Sequence, residues 1–363
     1  MGLIHDRKFG SQHGTLEHGK NSILFQCFVM QIHLTPGICR TFQEGSLGKR
    51  LLVFTDYHTT FFCDFNPKDD PTRQSYKNRH HPYAFSRLIS KTSTEWGWMT
   101  FTTILEMYSS RRITNEADIL DAFVGVLNHI RRSQPTTYLL RGLPLCSNVY
   151  EMTKGPLVDS LEYLVAAALS WNLDGSRYES AQRRSIFPSW TWAGWSWAWA
   201  DWTEGRPISW FHNTRESGFQ PSIRHVQLQS STGHIDMSSM LYKVDLQQEL
   251  DAVTLVQFEA PMISAASFSV EERLKMCNHY VQRHYSCAHD RIVANVQRGL
   301  WSCLVLCAAQ PQSKAYKTFY VLIVCWKADQ VTAERKGSFM VDLRPAEIWP
   351  PEEAWTWRRV RLI

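Results

Sequence analysis

The run FPSWTWAGWSWAWADW, from Phe187 to Trp202, governs how this chain is read. It holds six of the fifteen tryptophans, and their spacing carries information. Trp190 and Trp192 share one parity, whereas Trp195, Trp197 and Trp199 share the other. Alternation with a period of two marks a strand, so the run is expected to be a strand bent at Ala193-Gly194, where a bulge re-aims its face. Each indole can bury about 150–250 Å², so six exposed rings would show on the order of 1,200 Å² of apolar surface, more than a soluble monomer tolerates. The run is therefore expected to lie in an interior or an interface. A ligand-stacking platform needs a few exposed rings beside polar groups, which a continuous stripe does not provide.

Downstream, short segments rich in β-branched and aromatic residues recur between polar or proline-bearing loops: Val253 to Phe258, Ser302 to Ala308, Thr318 to Trp326 and Gly337 to Val341. Upstream, a polar stretch, LDGSRYESAQRRS, separates the run from two helical patterns. Ile119, Leu120, Phe123, Val126, Leu127 and Ile130 recur at helical spacing, with Glu116 and Asp118 in the first turn and Arg131-Arg132 in the last. A second helix is expected from Pro156 through Leu157, Leu161, Leu164, Val165, Ala168 and Trp171. Nearer the N-terminus, Leu51 to Cys63 reads as one or two strands, followed by a polar loop from Asp64 to Tyr83. Residues 1–38 carry no sustained period.

The chain has 363 residues, 44% hydrophobic and 20% charged, which is the range of globular proteins and long enough for two domains. Its formal charge is +5, but the pairs Arg111-Arg112, Arg131-Arg132, Arg183-Arg184 and Arg358-Arg359 are scattered. Scattered pairs read as solvated surface, so nucleic acid is not an expected partner. Nine cysteines, several inside apolar runs, read as reduced thiols, and the expected compartment is the cytoplasm. The apolar stretch Ile23 to Leu34 is too short to span a bilayer, which needs about 20 residues. No membrane association is expected.

Phe187-Pro188-Ser189-Trp190-Thr191-Trp192-Ala193-Gly194-Trp195 resembles the FPSWSWAGW segment of fungal heterokaryon-incompatibility (HET-domain) proteins, differing at Thr191 alone, and Arg183-Arg184 before it also fits. Tyr108-Ser109-Ser110-Arg111, then Asp118 through Gly125 to Val126, is similar to a further family block. Gly142-Leu143-Pro144, Leu169-Ser170-Trp171 and Ala333-Glu334-Arg335-Lys336-Gly337 follow in the family's order. Arg40 to Glu44, with Gln43-Glu44, resembles the last motif of the HET domain itself without its usual tryptophan. Nothing before it resembles the two earlier HET motifs.

The resemblance implies four segments: an unmatched stretch at 1–38, a remnant of the end of a HET domain at 39–63, a mainly helical region at 64–186 and a β-rich, tryptophan-containing region at 187–363. The implied function is that of a C-terminal regulatory or interaction region, truncated and without catalysis, in fungal non-self recognition and programmed cell death. The alternative it implies is part of a TIR-like NAD-hydrolysing death effector whose HET core is missing. The family-motif residues are Gln43, Glu44, Arg111, Asp118, Gly125, Pro188, Trp190, Trp192, Gly194, Trp195, Arg335 and Gly337. None is carried over as catalytic, cofactor-binding or metal-binding; a protein partner is open, and no cofactor is expected.

Cys277, His279, His284, Cys287 and His289 form the densest metal-like cluster, enough for zinc, yet their spacing fits no standard finger and suits a helix surface. A zinc-binding module is thus a weaker alternative. His80-His81, Asp69-Asp70 and Glu352-Glu353 stand in loop-like contexts, and no nucleophile elbow, zincin or phosphate-loop motif occurs. The expected architecture is α+β: a helical layer from Tyr108 to Trp171, then a β-rich, sandwich-like unit from Pro188 onward.

Overall fold

The computed structural model describes residues 98–109, 113, 115–133, 137–146, 160–173, 181–196, 208–210, 219–235, 246–263, 294–296, 298–309, 317–343 and 355–363, and the backbone of four strands before them. Two compact units divide the chain, Met1–Glu95 with Arg111–Ser133 and Trp96–Ser110 with Gln134–Ile363.

In the first unit, β1 (Gln12–Gly14), β2 (Phe25–Gln31), β3 (Arg50–Phe54) and β4 (Thr59–Cys63) form one sheet in that order. The stretch expected as one or two strands is a hairpin, with Arg50 opposite Cys63. Strand β2 runs parallel to β3, pairing Phe28 with Leu51, so backbone pairing joins residues on either side of position 38. Asn115 opens the helical part of this unit. Its side chain accepts the Ala117 N–H at 3.3 Å and starts a 3-10 turn, Glu116–Ile119. An α-helix, Asp121–Ser133, follows and ends on Arg131 and Arg132, as a helix C-terminus favours. Ile119, Phe123, Val126, Leu127 and Ile130 are buried, as their spacing predicts.

The second unit opens with a helix, Trp98–Ser109, that the sequence reading lacked; it is buried almost all round, including Thr102 and Glu106. With this helix called α1 and Asp121–Ser133 called α2, the next helix, α3, spans Leu161–Leu169. It starts at the Ser160 cap, whose hydroxyl accepts the Tyr163 N–H at 3.3 Å; Pro156 and Leu157, where the expected helix began, lie outside the described residues. Trp171 likewise belongs to a strand, β7 (Trp171–Leu173), and not to the helix. Between α2 and α3 lies a hairpin, β5 (Thr137–Leu140) and β6 (Leu143–Cys146), turned by Arg141 and Gly142 at φ 49° and 95°. Two positive φ values in a two-residue loop make the turn type that matches strand twist, and Gly142 supplies one of them at no steric cost.

The β-segments expected downstream all form: β14 (Val253–Ile263), β15 (Ser302–Ala309), β16 (Lys317–Trp326) and β17 (Thr332–Leu343), with β18 (Thr356–Leu362) after them. They do not pack as a sandwich. β14 to β17 meander antiparallel, β18 pairs β14 antiparallel and meets β17 in parallel at Thr332 and Ala333, and β14 closes on β15 through Met262 and Ile263. The result is a closed five-stranded barrel, extended by β11 (Gln220–Pro221) on β15 and by β12 (Arg224–Ser230) and β13 (Gly233–Ile235) on β14. One face of β15 and β16 carries Cys303, Val305, Phe319, Val321 and Ile323 into a cluster with Ile263 and Val296. The other face carries Cys307 and Tyr320, which meet Ser170 and Trp171. Burial on both faces explains why these strands read as continuous apolar runs. The described residues are thus mixed α+β, and no helix among them is long and apolar enough to cross a membrane.

Candidate functional site

The tryptophan run turns where a strand was expected. Thr191 accepts the Ala193 N–H at 3.2 Å and Gly194 donates to the Thr191 carbonyl at 3.1 Å, closing a 3-10 turn over Trp192–Gly194. Only Trp195–Ser196 enters a strand, β9, paired with Gln182–Arg183, strand β8. Two features of the sequence favour the turn. Trp192 and Trp195 stand three apart, the 3-10 period, and the hydroxyls of Ser189 and Thr191 compete for backbone groups that a ladder would need. Burial follows expectation for Trp190 and Trp192, both fully buried, while Trp195 is half-buried. Trp197, Trp199 and Trp202 lie outside the described residues.

Each buried ring is tied to a different part of the unit. Trp192 Nε1 donates to the Gly142 carbonyl at 2.7 Å, and the Thr191 hydroxyl donates to the Arg141 carbonyl at 2.6 Å, so the β5–β6 turn sits on the box. Trp195 Nε1 donates to the Ser189 carbonyl at 2.8 Å. Trp171 Nε1 donates to the Trp190 carbonyl at 2.9 Å, whereas the Trp190 indole N–H is buried and unpaired. The Tyr108 ring meets Trp192 edge-on at 6.1 Å, adding α1 to the contact set.

Gly194 is fixed by space alone. A Cβ there would stand 2.3 Å from the Pro188 carbonyl oxygen and 2.6 Å from Arg183 Nη1. Arg183 Nη1 donates to the Gly194 carbonyl at 2.7 Å, and the Arg184 backbone N–H donates to the same oxygen at 2.8 Å. The arginine pair therefore clamps the end of the turn, which the reading of it as plain solvated surface left out. Burial lowers the Arg183 pKa, and Glu334 partly restores it.

A second layer lies beneath the box. Arg335 is 1% exposed, and its backbone N–H donates to Ser189 Oγ at 3.0 Å. Its guanidinium donates to the carbonyls of Leu169, at 2.9 Å, and Trp171, and to Ser338 Oγ at 2.8 Å, while lying 3.7 Å over the Trp171 ring. Tyr320 donates to the Trp171 carbonyl as well, and Ser338 Oγ donates to it at 3.0 Å. A ring face and the peptide dipoles of the accepting carbonyls stabilise the buried cation. Ser189 ties this layer to the chain's last strand through the Ile363 main-chain oxygen, 2.9 Å from its N–H. A small solvent-open crevice, bordered by Trp171, Trp195, Arg335 and Lys336, is the surface expression of this layer.

Of the family-motif residues, the structure brings together Pro188, Trp190, Trp192, Gly194, Trp195, Arg335 and Gly337. Asp118, exposed and bonded to Asn115 at 2.9 Å, and Gly125 belong to the other unit. Gln43, Glu44 and Arg111 lie outside the described residues, as do Cys277, His279, His284, Cys287 and His289. Among the described residues no group of three or more His, Cys, Asp or Glu could hold a metal ion. Tyr320, Ser338 and Glu106, a buried carboxylate accepting the Trp210 N–H at 3.1 Å, carry structural roles that no sequence motif announced. Single polar residues inside apolar stretches were the only signal for them.

The fold and the site define a mixed α+β chain whose second unit is a closed barrel capped by a tryptophan box. No family model, curated protein or solved structure matches the chain.

Proposed function

We propose that this chain is a regulatory or interaction region of a heterokaryon-incompatibility protein, acting in fungal non-self recognition and cell death without catalysis of its own. One observation carries the reading beyond the resemblance. Four of the blocks that carry the resemblance, at 142–144, 169–171, 187–195 and 333–337, hold one another through buried hydrogen bonds: Trp192 to Gly142, Trp171 to Trp190, and Arg335 to Ser189 and Leu169. Side chains committed to each other's backbone build a scaffold.

The test is expression of this chain in a filamentous fungal host, with viability and cellular NAD measured. The expected outcome is survival with NAD unchanged, and altered cell death only when the chain is co-expressed with an incompatibility effector. Death with loss of NAD from this chain alone would overturn the proposal in favour of a TIR-like NAD-hydrolysing effector.

A further inference from the structure

The barrel brings Arg224 beside the arginines of its last strand. On β18, Trp357, Arg359 and Arg361 share a parity and are exposed, while Val360 and Leu362, of the opposite parity, are fully buried. Residues two apart on a strand stand about 6.8 Å from each other, so the three form a regular row. The register continues this row across the sheet: Arg359 faces Glu259, which faces Arg224, and Arg361 faces Gln257, which faces Gln227. The polar groups are held in place. Arg361 Nε donates to Gln257 Oε1 at 3.1 Å and Gln257 Nε2 donates to Gln227 Oε1 at 2.9 Å, while Arg224 Nε donates to Glu259 Oε2 at 3.0 Å and its guanidinium lies 3.9 Å over the Trp357 ring.

His225 marks the same place independently. It sits at φ 55°, a region costly for a non-glycine residue, at a register shift between Arg224 and Gln227. The kink brings its Nδ1 to 3.3 Å from Glu259 and leaves the side chain exposed. Bulges and positive φ values of this kind concentrate where a sheet presents side chains to a ligand. The acids on the stripe are Glu259 and, near Arg361, Asp329; against them stand Arg224, Arg359 and Arg361, so the face carries a small positive excess, while Arg358 has the opposite parity.

We propose that this stripe across β12, β14 and β18 binds single-stranded nucleic acid, its guanidiniums on phosphates and Trp357 under a base. The argument is charge complementarity joined to an exposed ring: planar forks pair with phosphate, and an indole 40% exposed within the row, with the Arg224 guanidinium already on one face, offers its remaining surface to a base, which is the combination sequence-tolerant single-strand sites use. The expectation against nucleic acid rested on scattered basic pairs; of those pairs the stripe uses Arg359 and adds Arg224 and Arg361 to it. This inference is independent of the function proposed above.

The test uses the full chain and fluorescence anisotropy of labelled oligothymidylate and oligouridylate at several salt concentrations. The expected result is saturable binding whose logarithm falls against log salt with a slope of about −2, as for roughly three phosphate contacts on a single strand. Trp357→Ala should weaken binding about tenfold and leave the slope unchanged. Arg359→Glu with Arg361→Glu should abolish it, and Arg359→Gln with Arg361→Gln should weaken it and flatten the slope. Arg298→Glu, at an exposed site outside the stripe, should leave it intact. Absence of saturable binding at low salt, displacement by polyglutamate as readily as by unlabelled oligonucleotide, equal affinity for a duplex, or equal loss in Arg298→Glu would each overturn the proposal.

Discussion

Ser189 Oγ accepts the backbone N–H of Arg335 at 3.0 Å across 146 residues of sequence. This one bond joins the tryptophan run to strand β17, and both partners are buried. It turns two motifs into a single object, because the tryptophan turn cannot keep its place unless β17 keeps its register, and the reverse. Cooperativity between the box and the barrel follows from it.

Gly194→Ala should destabilise the second unit by about 2–3 kcal/mol, the usual cost of forcing atoms into a packed site. The added Cβ would stand 2.3 Å from a backbone oxygen, and backbone cannot rotate away as a side chain tip can. Urea unfolding measures this directly. A change below about 0.5 kcal/mol would show that the turn relaxes freely.

Trp192→Phe and Trp190→Phe should differ although both rings are fully buried. Replacing Trp192 strands the Gly142 carbonyl, whereas replacing Trp190 removes an indole N–H that is already unpaired. The Trp192 variant should be the less stable by about 1–2 kcal/mol, the cost of one buried acceptor left unsatisfied. Equal midpoints in parallel denaturant titrations would contradict this.

Arg335→Lys should cost on the order of 3 kcal/mol despite conserving charge. An ammonium cannot reach the Leu169 and Trp171 carbonyls together in the plane of the guanidinium, nor lie flat on the Trp171 ring. Lys336→Ala, which removes a partly exposed ion pair with Glu334, should change stability by less than about 0.5 kcal/mol. The pair of variants, compared by calorimetry, separates the buried layer from its surface neighbour.

These contrasts also mark what the sequence could disclose. Strands β15 and β16 were legible because burial on both faces makes a long apolar run, and α2 because its stripe recurs at a period near 3.6. Closure of the barrel was not, since it depends on Met262 and Ile263 meeting Leu304 and Cys303, two pairs whose partners are about forty residues apart. The β5–β6 hairpin escaped because its turn uses Arg141 in a left-handed conformation where asparagine or aspartate is the usual signal. The tryptophan turn was read as a strand because alternation of two neighbours fits both a ladder and a short 3-10 turn. Its partners Gly142, Trp171 and Arg335 lie too far away in sequence for any local pattern to show them.

Tyr320 ties the site to alkaline pH. Burial pushes its hydroxyl up to about 12, against the opposing pull of Arg335, whereas an unfolded tyrosine ionises near 10. The folded form therefore holds its proton where the unfolded form has lost it, so the contribution is complete below about pH 10 and declines as pH rises toward 12. Unfolding midpoints measured between those values should fall with pH, and Tyr320→Phe should make that fall shallower. An unchanged slope in the variant would remove Tyr320 from the account.

Among the described cysteines of the second unit, Cys146, Cys303 and Cys307 are buried and Cys325 is half-buried. Burial pushes the first three thiols up to about 12, with Ser170, 3.3 Å from Cys307, offsetting only a little. Alkylation proceeds through the thiolate, so at about pH 8 these three combine a minute thiolate fraction with no access for the reagent. Iodoacetamide followed by peptide mass spectrometry should label Cys325 first and reach Cys146, Cys303 and Cys307 only after denaturant is added. Labelling of Cys307 at the rate of Cys325 in the native protein would mean that β15 opens locally, and with it the packing of Ser170 and Trp171 on which the tryptophan box rests.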